Sequence, residues 1–211
     1  MTESHAGATD RRWNLNIHYH RVALAALPSG AATALDVGCG DGLLSFDLAD
    51  RGLDVTGIDP HAPSIERATA DQRATARTTF VCGDVFTADL AHASFGVVTA
   101  SAMLHHVDAR DGLQRMKQLV RPGGVVAVVG FGRPDGVTDR WLEVAGALTK
   151  RMHMLRREYW EHNAPISWPP PHTTGEMRDL GRKELPGAEF RRLMSNRFSL
   201  VWNAPVSESP D

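Results

Sequence analysis

The sequence predicts an α/β fold with a parallel central sheet. Across residues 33–130, short apolar runs alternate with longer segments of helical periodicity. Strands separated by helices imply right-handed crossovers and parallel pairing. Most of these runs also end in an acid, a glycine or a short polar stretch. In such sheets ligands bind beyond the carboxyl ends of the strands, near the point where strand order reverses. The 211 residues suit one domain with a normal core.

The elements follow in order. Residues 1–11 read as a disordered tail. Residues 12–27 read as a helix that ends before Pro28-Ser29-Gly30, with Trp13, Ile17, Val22, Leu24 and Leu27 as an approximate apolar stripe. Strands are expected near 33–37, 54–58, 78–82, 96–100 and 124–130, and helices over 42–51, 62–75 and 109–120. A further helical stretch covers 137–161. Three consecutive prolines, 169–171, can join neither a helix nor a central strand, so that segment is extended. Thr174 can cap a short helix over 175–184. Residues 188–193 and 197–202 read as an antiparallel hairpin turning at Ser195-Asn196. The single domain is bounded at 12–204: an N-terminal lid helix (12–30), a ligand-binding core (33–130), helices and a proline-rich loop on the acceptor side (131–172), and a helix with hairpin (174–204). Residues 205–211 form a second tail.

Leu35-Asp36-Val37-Gly38-Cys39-Gly40-Asp41-Gly42 is the most informative stretch. It is a strand entering a glycine-rich turn that brings backbone close to a ligand. A loop that cradles pyrophosphate offers helix N-terminal dipoles without competing negative charge. Here Asp36 and Asp41 would repel phosphate and attract a cation. S-adenosylmethionine, with an ammonium and a sulfonium and no phosphate, fits better than a dinucleotide. Val55-Thr56-Gly57-Ile58-Asp59 follows, and an acid at the end of a second strand can accept from both ribose hydroxyls or simply cap a helix. Thr79 to Val85 ends in Asp84, which can accept from an adenine amino group.

These motifs resemble the class I S-adenosylmethionine-dependent methyltransferases of the small, single-domain, type 11/12-like kind. The resemblance rests on residues 35–42, Gly57-Ile58-Asp59, Gly83-Asp84-Val85, Met103-Leu104-His105-His106 and Arg121-Pro122-Gly123-Gly124, in the family's order and spacing across roughly residues 33–130. It implies a Rossmann-like seven-stranded sheet with helices on both faces and a C-terminal antiparallel hairpin. It implies that Asp36, Gly38, Cys39 and Gly40 hold the methionine part of the cofactor, Asp59 and Pro60 the ribose, and Asp84 and Val85 the adenine. Ser101 and Tyr19 complete the expected cofactor contacts.

Methyl transfer needs an aligned acceptor, exclusion of water and, for a protonated acceptor, a base. His105 and His106 follow the fourth core strand, where the methyl group should lie, and are the candidate bases, His105 slightly ahead; either can instead shape the cofactor pocket. Trp13, Asn16 and His20 on the lid helix, Arg133 after the fifth strand, and Trp141 and Trp160 beyond it are candidate acceptor contacts, or ordinary packing and surface residues. His18 and His20 point to different sides of a helix, so no metal site is expected.

Formal charge is −2, which gives no overall pull toward nucleic acid or anionic membrane. Residues 150–200 carry 10 Lys/Arg against 6 Asp/Glu, a local excess that suits a solvated face or a weak anion-binding surface. Cys39 and Cys82 lack metal or disulfide-framework spacing. No apolar run approaches a spanning length of about 18 residues, and the polar start lacks a signal core, so a cytoplasmic protein is expected. An Asn/Asp-Pro-Pro-Tyr/Phe segment is absent after the fourth core strand, which argues against exocyclic base amines as acceptors. The reading is a methyltransferase acting on O or N of a small molecule, as monomer or homodimer. An RNA or protein methyltransferase and a non-catalytic cofactor-binding protein stand as alternatives.

Overall fold

The computed structural model describes residues 12–136, 146, 151, 158–159 and 169–206. Nine strands and five helices can be followed there. The strands are β1 (Arg12–Trp13), β2 (Thr33–Val37), β3 (Asp54–Asp59), β4 (Thr78–Cys82), β5 (Phe95–Ser101), β6 (Val120–Phe131), β7 (Glu158–Tyr159), β8 (Glu189–Leu193) and β9 (Arg197–Asn203). The helices are α1 (Leu15–Ala25), α2 (Leu43–Ala49), α3 (Ala62–Ala70), α4 (Ala109–Leu119) and α5 (Thr174–Glu184), with one 3₁₀ turn at Leu104–His106.

Seven strands form one sheet in the order β4-β3-β2-β5-β6-β9-β8. The first five are parallel, and β9 and β8 run antiparallel. This is the Rossmann-like arrangement expected. The order reverses between β2 and β5, so the loops after those two strands border the crevice in which ligands of such sheets bind.

Alternation along the strands assigns the two faces. Val125 and Ala127 of β6 pack with Ala23 of α1 and Leu44 and Leu48 of α2. Val126 and Val128 pack on the other side with Leu113, Met116 and Leu119 of α4 and Met177 of α5. The central strands therefore read as near-continuous apolar runs, as strands covered on both faces do.

Several boundaries differ from the sequence reading. The chain enters as a two-residue strand, β1, pairing in parallel with β7. Helix α1 then starts behind Asn14, whose side chain accepts from the Ile17 amide at 2.9 Å. Helix α3 stops at Ala70, because Asp71 turns its carboxylate onto the Arg73 amide and so offers the backbone an alternative to helix. The α5 cap is Thr173, one residue earlier than expected, in a reciprocal pair with Glu176. Strand β6 begins at Val120, paired with Phe95 across an irregularity before Val97. The hairpin turns where expected, with Ser195 and Asn196 both at positive φ. The expected helical stretch 137–161, with Trp141 and Trp160, lies outside the described residues, apart from positions 146, 151 and 158–159.

Candidate active site

The glycine loop leaves β2 at the switch point. Gly38 sits at φ +70, and a Cβ there would come within 2.7 Å of the Met103 side chain. Only glycine takes that backbone and that contact together. Met103, in the loop after β5, thereby seals one side of the glycine loop. The preceding residue, Ala102, also has positive φ, a strained conformation held by its amide donating to the Val129 carbonyl at 2.7 Å.

The loop's amide donors are largely spent inside the protein. Gly38 and Cys39 both donate to the Ile58 carbonyl, and Gly42 donates to Cys39. Gly40 donates to Asp59 Oδ2 at 3.0 Å. Anion-binding loops point such amides at the ligand, so a pyrophosphate would meet few donors here. Asp41 does not stand as a free negative charge: Arg67 donates to its Oδ1 from Nε at 3.1 Å and from Nη2 at 2.8 Å. The spent amides, not Asp41, are what disfavour phosphate.

The acids divide by depth. Asp36 is 1% exposed and lies under the loop. It accepts from Ser45 Oγ at 2.8 Å and Thr99 Oγ1 at 3.1 Å. Burial pushes its carboxyl pKa up, against the lowering effect of those hydroxyls. Its carboxylate thus anchors the loop stem to α2 and β5. Asp59, at the end of β3, is half-buried. Its Oδ1 accepts from the His61 amide at 2.8 Å, and each oxygen keeps a lone pair for another donor. Pro60 follows on the surface. Asp84 is exposed and accepts from the Phe86 amide, whereas the Val85 side chain is buried in the core. Cys39 is buried, and burial raises its thiol pKa well above the usual value, so the thiol is unreactive.

On the other side of the crevice, the ends of β5, β6 and β9 form a rim. Ser101 pairs with Val129, and Phe131 pairs with Arg197. The His105 ring meets Phe131 edge-on at 5.0 Å and lies 4.0 Å from His106. The Arg197 guanidinium stacks 4.4 Å from the Phe131 ring centre and donates to Asn16 Oδ1 at 2.9 Å. Ser101 Oγ, His105 Nδ1 and Asn196 Oδ1 are buried and have no hydrogen-bond partner among the described residues. Orphaned buried polar atoms are uncommon, and each calls for a physical reason such as a catalytic role or a bound water or ion. Burial, the neighbouring His106 and the Arg197 charge lower the His105 pKa to about 4. His106 is exposed, with its pKa lowered by burial against the pull of Asp59.

Not every expected contact converges on this rim. Asn16 does, through Arg197. Tyr19 packs with Trp13, Leu15 and Val129 beside it, and its hydroxyl accepts from the Met194 amide at 3.1 Å. Burial raises the Tyr19 pKa, so the phenol stays protonated. Trp13 is 1% exposed and belongs to the same cluster, a wedge under the helix start and not an open acceptor wall. His20 is turned elsewhere: its Nδ1 lies 2.7 Å from Asp47 on α2, so it joins helices and does not face the rim with Asn16. Arg133 has an exposed side chain, and its backbone holds His172 and Thr174. Sequence reasoning missed Met103, Ser45, Thr99, Arg67 and Arg197, whose partners lie up to 181 positions away. Among the described residues no group of His, Cys, Asp and Glu could hold a metal ion.

The residues fit S-adenosylmethionine by the chemistry of the donor set: a half-buried carboxylate for two hydroxyls, few free amides for an anion, and acids bordering the loop. Three comparisons bear on this. The methyltransferase domain family model matches residues 35–128. The chain is 42% identical over 198 residues to an uncharacterized methyltransferase of Mycobacterium tuberculosis, covering 93% of this chain and 100% of that protein. It is 40% identical over 178 residues to a ubiquinone biosynthesis O-methyltransferase of Cronobacter sakazakii, covering 82% and 71% respectively. Its fold is similar to that of phosphoethanolamine N-methyltransferase 2 of Haemonchus contortus, solved with phosphomonomethylethanolamine and S-adenosylhomocysteine. The TM-score is 0.59 at 20% identity, over 85% of this chain and 38% of that one.

Proposed function

The chain belongs to the class I S-adenosylmethionine-dependent methyltransferases, and from that premise we propose that it methylates an oxygen or nitrogen atom of a small molecule by in-line displacement. The cofactor supplies an electrophilic methyl group on a sulfonium. Asp59 accepts the ribose hydroxyls. Asp36 fixes the stem of the glycine loop from below, and its charge favours a cationic ligand above it. Asp84 and the Val85 backbone flank the adenine.

The acceptor side is the rim of β5, β6 and β9. The observation that carries the reading is His105 Nδ1, buried and without a partner among the described residues, on the loop that also seals Gly38. This nitrogen holds the proton of the acceptor. At neutral pH the ring is uncharged, so it is free to accept. An imidazole this weakly basic orients the nucleophile and takes its proton late, as methyl transfer lowers the acceptor pKa. Phe131 forms an apolar wall beside it. The Cronobacter relative is named an O-methyltransferase, which supports oxygen ahead of nitrogen.

The reading is tested with labelled S-adenosylmethionine and parallel panels of hydroxylated small molecules, small amines, RNA and protein. Label entering a small hydroxylated acceptor is the expected result. Label entering only RNA or protein would replace the small-molecule reading. Failure with every acceptor, by a protein that still binds the cofactor product, would favour a non-catalytic role.

A further inference from the structure

A closed ring of contacts runs around the cofactor side of the crevice, and the chemistry described above does not use all of it. Gly40 N–H donates to Asp59 Oδ2 at 3.0 Å, and His61 N–H donates to Asp59 Oδ1 at 2.8 Å. His61 Nδ1 and Ser64 Oγ are hydrogen-bonded at 3.0 Å. Arg67 Nη2 donates to Ser64 Oγ at 2.9 Å and to Asp41 Oδ1 at 2.8 Å. Asp41 follows Gly40 in the chain, so the circuit closes through one peptide unit. Ser64 is 1% exposed and Asp41 8% exposed. Ser64 and Arg67 stand one turn apart on α3, where i and i+3 side chains meet.

We propose that Arg67 and Ser64 are positioning residues that lock the glycine loop to Asp59, so that the two halves of the cofactor site are set as one unit. The proposal rests on the cofactor reading above. Neither residue lies in the loop or at a strand end, so neither touches the ligand in that reading. Their action passes through Asp41 on one side and through His61 and Asp59 on the other. Without Arg67, Asp41 becomes a nearly buried carboxylate lacking its cation, a state that proteins avoid by moving the chain that carries it. That chain is Gly40-Asp41-Gly42, whose Gly40 amide helps aim the Asp59 carboxylate. Adenosine, which needs Asp59 but not the loop's methionine side, therefore senses Arg67 at a distance.

The test uses the full chain and the variants Arg67→Met and Arg67→Lys. Adenosine and S-adenosylhomocysteine affinities are measured by calorimetry, and amide exchange at Gly40 and His61 is measured without ligand. Arg67→Met is expected to weaken both ligands by about tenfold or more, the equivalent of a lost hydrogen bond to a charged group, and to speed exchange of the Gly40 amide. Arg67→Lys is expected to fall between, since an ammonium keeps the charge but lacks the guanidinium fork. Unchanged adenosine affinity with unchanged Gly40 exchange, even beside a lower melting temperature, would overturn the proposal and leave Arg67 a structural ion pair. A parent protein that binds no S-adenosylhomocysteine would count against the cofactor reading itself, while the exchange rates would still decide the ring.

Discussion

Asp36 and Asp59 are both acids at strand ends, yet their surroundings give them different work. Two hydroxyl donors and full burial turn Asp36 into an anchor. Asp59 is half-buried at the mouth, with a lone pair on each oxygen left after two backbone donors. Asp59→Ala should weaken S-adenosylhomocysteine binding by about 1–3 kcal/mol through loss of charged hydrogen bonds; an unchanged calorimetric affinity would make Asp59 a structural cap. His105→Ala should lower turnover and leave product-cofactor affinity nearly intact, whereas parallel loss of both would make the ring a pocket wall. The depressed His105 pKa, about 4 against an ordinary 6.5, also has a consequence for stability. Between those values the folded state binds fewer protons at this site than the unfolded chain, so stability rises with pH there. The contribution is complete above about 6.5 and is lost as pH falls toward 4. Denaturation of His105→Gln across that window should show a shallower pH dependence than the parent; an identical slope would mean that the imidazole is not desolvated as described. At this scale the sequence was legible where a residue acts through its own strand end. It was opaque where the partner is remote: Arg67 reaches Asp41 across 26 positions, and no periodicity announces that pair.

Helix α1 shows what elements add. Its N-cap, Asn14, is 5% exposed and satisfies the Ile17 amide, and its far face binds α2 through His20 and Asp47. The helix is thus fixed at its start and along its length, with Asn16 left at the rim. Asn14→Ala should cost about 1 kcal/mol, seen as a fall of roughly 2–4 °C in melting temperature for a chain of this size; no shift would mean that the cap is replaced locally. The apolar stripe on residues 12–27 predicts the helix but not β1, because a two-residue strand exists only through its pairing with β7, far along the chain. The early stop of α3 was readable in principle from Asp71, since its type of side chain competes for backbone donors, but helical periodicity masked it. The strand–helix alternation, the switch-point loop and the C-terminal hairpin were legible because each rests on local pattern.

At the scale of the molecule, the sheet order places the loops after β2 and β5 on either side of one crevice. Asp59 ends β3, which neighbours β2 in the sheet, and His105 follows β5 on the other side of β2. Several of the basic residues in the stretch 150–200 are ion-paired in the folded chain. Arg191 pairs with Glu189, Arg192 with Asp135 and Arg178 with Asp179. These are surface pairs of small energetic weight. No helix among the described residues is long and apolar enough to cross a membrane.

The glycine loop turns its amides inward and faces a half-buried acid, an arrangement that suits S-adenosylmethionine and not a pyrophosphate cofactor. Calorimetric titration of the purified protein with S-adenosylhomocysteine, with NAD as the control, tests it most directly. Saturable binding of S-adenosylhomocysteine and no heat from NAD are expected. Binding of NAD alone, or of neither, would contradict it.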